Sequence, residues 1–150
     1  NQAAFLCLTN EFKASNRRLL EFNKANSYYQ KSMGREWIIR KEMIRAVVQL
    51  ELKNIDIAEQ ILFNIESNHK ELFAKKQYMM VSPFIQAFKL FINTPEKANK
   101  DSLDAIENEG GLNKHRMFRD PRLIIFYSWL KGKYTNQPSS EVLIKEFLAL

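Results

Sequence analysis

The stretch from Arg35 to Leu52 constrains this chain more than any other. Wound at the α-helical period, Trp37, Ile39, Met43, Ile44, Ala46, Val47, Val48, Leu50 and Leu52 spread over an apolar arc of roughly 240°. Only a narrow stripe, Arg35, Glu42, Arg45 and Gln49, is consistently polar. A helix lying on the surface of a globule has a narrower apolar face. This one is therefore expected between neighbours on two sides, the place of an inner helix in a stacked helical array.

The rest of the chain agrees with helices joined by short turns. Four Gly and four Pro in 150 residues are too few for the turns of an all-β sandwich. Eleven Phe, five Tyr and two Trp supply more apolar surface than a disordered chain carries. After Lys53-Asn54-Ile55, with Asp56 as N-cap, Ile57, Ala58, Ile61, Leu62 and Ile65 form a single apolar face. A link this short predicts an antiparallel helix hairpin.

Further elements follow from their caps and spacing. A helix-like run occupies residues 1–13, and Asn16 is expected to cap a second segment through Phe22. Ser27 is expected to cap a short turn that Gly34 interrupts. Residues 68–76 read as a polar connector or frayed helix, followed by an apolar stretch from Tyr78 to Ile92: either one helix kinked at Pro83, the favoured reading, or a helix that starts at Ser82-Pro83. Thr94-Pro95 opens a polar helix ended by Gly110-Gly111, Asp120-Pro121 opens an apolar helix, and Pro138-Ser139 opens the last. The expected fold is all-α: six or seven helices in stacked antiparallel hairpins forming an α-α superhelix. Residues 1–150 are expected to be a single helical-repeat domain cut from a longer chain.

The first hairpin resembles the tetratricopeptide repeat, which places small residues twelve apart where its two helices cross. Ala46 and Ala58 have that spacing, and Leu62 and Ile65 fall where its packing residues stand. The departures are specific. Arg45 and Gln49 replace an expected Leu and aromatic, Lys53 stands where Gly is usual, and Lys70 where Pro often closes the repeat. The resemblance covers Arg35 to Asn68, and the next candidate turn, Asn93 to Ala98, lies about 40 residues on rather than 34. A HEAT-like or other α-α array also fits. What the resemblance implies is a superhelix with one concave binding surface.

Charge and chemistry narrow the functional classes. The net charge of +6 raises the question of acidic partners or nucleic acid. Lys114, Arg116, Arg119 and Arg122 interleave with Phe118 in a basic loop suited to phosphate or an acidic partner. His69 and His115 lie beside lysines in polar stretches and read as solvated side chains, and Cys7, between leucines, reads as a buried thiol. Phosphate-cradling, dinucleotide-binding and zinc-binding motifs are absent from the sequence, so no metal or other cofactor and no catalytic residue is expected. The expectation is a cytoplasmic, non-enzymatic protein–protein interaction scaffold. Arg35, Glu42, Arg45 and Gln49 would meet a protein or peptide partner, and a nucleic-acid-associated module using the basic loop is the alternative. No apolar run approaches the roughly 20 residues of a membrane span.

Overall fold

The computed structural model describes residues 2–75, 78, 81–110 and 121–149, with 109, 110 and 121–123 described by backbone alone. Among the described residues there are nine α-helices and no strand. They are α1 (Gln2–Leu8), α2 (Phe12–Leu20), α3 (Asn26–Met33), α4 (Arg35–Glu51), α5 (Ile55–Phe73), α6 (Val81–Asn93), α7 (Lys100–Gly110), α8 (Pro121–Thr135) and α9 (Ser139–Leu148), with a 3-10 turn at Pro95–Lys97. Nine replaces the expected six or seven, largely because the first 34 residues break into three short helices. The span 1–150, expected as one domain, gathers its contacts into two compact units, Asn1–Asn68 and His69–Leu150.

In the first unit α4 packs against α1, α2 and α3. Ile38, Ile39, Met43, Ala46, Val47 and Val48 are all buried. Burying a large apolar side chain of this kind contributes roughly 1.5–3 kcal/mol before conformational entropy is subtracted. Gly34 joins α3 to α4 at φ 83°, ψ 165°, a conformation that residues with a Cβ rarely adopt.

Two helix ends of this unit close in the same way. After α1, Asn10 takes φ 64° while Glu11 N–H donates to the Leu6 carbonyl at 2.8 Å and Asn10 N–H to that of Cys7 at 3.1 Å. After α4, Lys53 takes φ 67° while Asn54 N–H donates to the Gln49 carbonyl and Lys53 N–H to that of Leu50, both at 2.9 Å. Each is a Schellman cap, in which one left-handed residue lets the last carbonyls find donors. Ser15, fully buried on α2, donates its hydroxyl to the Ala3 carbonyl at 2.7 Å, so α1 and α2 cross closely there. Ala46 and Ala58 are likewise fully buried.

The second unit is built on aromatics. Phe84 and Phe88 of α6 meet Phe126 and Trp129 of α8 edge-on, with ring centroids 5.6 and 4.8 Å apart. Tyr134 donates its hydroxyl to the Ala87 carbonyl at 2.7 Å, and burial pushes its pKa up to about 12. Asn99 and Ser102 cap α7 reciprocally: Ser102 N–H donates to Asn99 Oδ1 and Asn99 N–H to Ser102 Oγ, both at 3.0 Å. Asn136, at φ 54°, turns the chain from α8 into α9, and Gln137 N–H donates to the Gly132 carbonyl.

Several local expectations are corrected. Asn16 sits inside α2 and Ser27 inside α3, and neither begins its helix. Asp56 lies in the first turn of α5. Residues 68–73 continue α5 as regular helix, which carries His69 onto the buried face with Ile65 and Leu72. Thr94-Pro95 leads only into the 3-10 turn, and the helix proper begins at Lys100. Gly111, His115 and Asp120 lie outside the described residues.

Candidate functional site

The sequence reading treated Arg35, Glu42, Arg45 and Gln49 as a stripe presented to a partner. Helices α2 and α3 lie over α4, and they change that stripe. Glu42 and Gln49 are buried, Arg45 is half-exposed, and Arg35 is exposed at the first position of α4. A buried carboxylate and amide need polar partners, and the covering helices supply them. Asn16 on α2 accepts from Gln49 Nε2 at 3.0 Å, and Gln49 Oε1 in turn accepts from Asn54 Nδ2 at 2.8 Å. Asn26 on α3 donates from Nδ2 to Glu42 Oε1 at 3.2 Å.

Two cations complete the Glu42 cluster. Lys41 Nζ lies 3.0 Å from Glu42 Oε1 and donates to Asn26 Oδ1 at 2.5 Å, while Arg45 Nη1 donates to Glu42 Oε2 at 3.2 Å. Charge-assisted hydrogen bonds of this kind are the stronger class. Lys41 also stands over the rings of Tyr29 and Trp37, 5.6 and 5.9 Å from their centroids, and Lys24 over Tyr28 at 4.4 Å. Phe22, Tyr29 and Trp37 meet one another at 5.2–5.7 Å.

Part of this cluster lines a half-open groove of about 520 Å³. Glu42, Arg45 and Gln49 lie on its α4 side, Asn16, Asn23 and Asn26 opposite, Lys24 and Lys41 beside them, and Leu20, Phe22 and Ile57 supply apolar surface. Three of the four stripe residues thus share one concavity, and Arg35 is not among its lining. Sequence reasoning missed Asn16, Asn23, Asn26 and Lys41. Asn16 was legible in one respect, because asparagine is a poor helix-interior residue and needs a partner to sit there.

The second unit has its own concavity of about 600 Å³, lined by Lys100, Lys131, Tyr134, Gln137, Lys145 and Glu146 among others. Lys131 is ion-paired with Glu146. Tyr127 donates to Glu107 at 2.6 Å, and burial, with that hydrogen bond, raises its pKa far above the ordinary tyrosine value. The basic-loop residues Lys114, Arg116 and Arg119 lie outside the described residues, and Arg122 is described by backbone alone, in the first turn of α8. Among the described residues no three His, Cys, Asp or Glu side chains gather as a metal site. No described helix is long and apolar enough to cross a membrane.

No family model matches the chain, and no curated protein or solved structure shows detectable similarity to it.

Proposed function

We propose that the chain is a non-enzymatic protein–protein interaction scaffold of tetratricopeptide-like helix hairpins, with the groove of the first unit as its peptide site. The observation that carries this reading is the polar floor of that groove. Glu42 and Gln49 are buried yet line a concavity, and each is held in place by amides from neighbouring helices. A floor pre-organised in this way loses little entropy when a ligand binds. Each amide nitrogen carries two N–H groups, so Asn26 and Gln49 keep a donor for a peptide carbonyl after their internal bonds.

The repeat half of the proposal rests on register. Ala3, Asn10 and Ser15 stand in the same spacing as Ala46, Lys53 and Ala58. In both sets the outer two are small and buried, and the middle one is the left-handed cap. The second unit also turns through a left-handed asparagine, Asn136, but Trp129 and Glu141 stand there at the spacing of the small residues. Stacking hairpins of one design is how a superhelical array obtains a continuous concave face.

A displayed random-peptide library selected on the 150-residue chain, with counter-selection on Arg45→Glu, tests the reading. The expected result is a consensus peptide whose binding Arg45→Glu abolishes while its helical circular dichroism is retained. A selection that yields no binder, or binders indifferent to the substitution, overturns it.

A further inference from the structure

The ligand class follows from what the groove leaves over, and this inference rests on the peptide-site reading above. We infer that the groove takes an extended peptide in which acidic residues alternate with bulky apolar ones. Lys24 and Arg45 receive the carboxylates, and Leu20, Phe22 and Ile57 receive the apolar side chains.

The hydrogen-bonding inventory points one way. Both Glu42 oxygens are engaged, Oε1 by Lys41 and Asn26 and Oε2 by Arg45. Asn16 Oδ1, Asn26 Oδ1 and Gln49 Oε1 already accept from Gln49, Lys41 and Asn54. An ammonium carries three N–H donors and a guanidinium five, so Lys24 and Arg45 have donors to spare, whereas Lys41, its side chain only 10% exposed, is taken up by Glu42, Asn26 and the ring faces. Around the lining three cations face one carboxylate. A ligand that brings acceptors and negative charge matches this surplus, and one that brings cations meets repulsion.

The apolar part of the lining rules out charge as the whole specification. Leu20 is 67% exposed, Ile57 45% and Phe22 39%. Side chains of that size standing open along a groove gain by covering one another. Lys41 links the two parts, since its ammonium is shared between Glu42, Asn26 and the faces of Tyr29 and Trp37.

The test uses capped, fluorescein-labelled nonapeptides titrated against the 150-residue chain by anisotropy at low salt. One alternates Asp with Leu, and three analogues replace Asp by Asn, Asp by Lys, or Leu by Ser. An oligothymidylate of matching charge is titrated in parallel. The Asp/Leu peptide is expected to bind at least about tenfold tighter than every other probe, a gap of about 1.4 kcal/mol. Arg45→Ala and Lys24→Ala are each expected to weaken it about fivefold and leave the Asn analogue unchanged. Equal or tighter binding of the Asn or Lys analogue overturns the acidic assignment and leaves the peptide site standing. Equal binding of the Ser analogue or the oligothymidylate shows charge recognition alone and overturns the mixed specificity. Failure of every peptide to bind overturns this inference, while the library selection decides the reading beneath it.

Discussion

Lys53 holds a left-handed backbone at φ 67°, where a Cβ costs roughly 1–2 kcal/mol and glycine costs nothing sterically. Lys53→Gly is therefore expected to raise stability by about 1 kcal/mol, read as a higher urea midpoint with unchanged m-value. The left-handed φ of Lys53 is the physical reason a glycine would suit this position. Tyr134 and Tyr127 carry a second prediction. Their folded pKa values are raised above the ordinary value of 10.0. From pH 10 upward the unfolded chain releases these protons while the folded chain keeps them, so stability falls as pH rises towards about 12. Urea titrations across that window should show the loss, and Tyr134→Phe should make it shallower. Neither shift was legible in the sequence, because each depends on burial, and that of Tyr127 also on Glu107, a partner twenty positions away.

At the scale of elements, the apolar arc of α4 announced an inner helix, and α4 packs against three others. What the arc could not reveal was that the remaining polar stripe would also be covered. Glu42 and Gln49 read as surface because charged and amide side chains usually are. Asn26 and Asn16 make them tolerable inside, and a one-dimensional pattern does not pair residues sixteen or thirty-three positions apart. His69 was misread for a related reason: α5 runs on past a polar stretch, so its helical register placed the imidazole on the buried face. Gly34, between α3 and α4, holds a positive φ of 83°. Gly34→Ala is expected to cost about 1–3 kcal/mol through backbone strain alone, since a Cβ there meets nothing within 4 Å. Thermal unfolding of the variant measures it. At Gly132 the opposite holds, because a Cβ would sit 2.6 Å from the Gln137 carbonyl oxygen. Gly132→Ala should loosen the α8–α9 turn at a cost of about 1–3 kcal/mol from overpacking.

At the scale of the whole molecule, the all-α class was legible throughout, from the scarcity of Gly and Pro and from the helical periodicity. The candidate site was legible only in part. Three of its residues, Glu42, Arg45 and Gln49, lie on the stripe of α4, whereas the asparagines that complete it come from segments with no strong pattern. The net charge of +6 raised the question of acidic partners or nucleic acid without answering it, and the groove of the first unit is the place proposed for an acidic one. The most direct test of that placement is a side-chain amide NMR titration of the uniformly 15N-labelled chain with the Asp/Leu nonapeptide. The amide signals of Asn16, Asn23, Asn26 and Gln49 should shift in a saturable way, while those of Asn99 and Asn136 in the second unit stay in place. Shifts confined to the second unit, or no shift at any of the four with millimolar peptide, would contradict a peptide site in this groove.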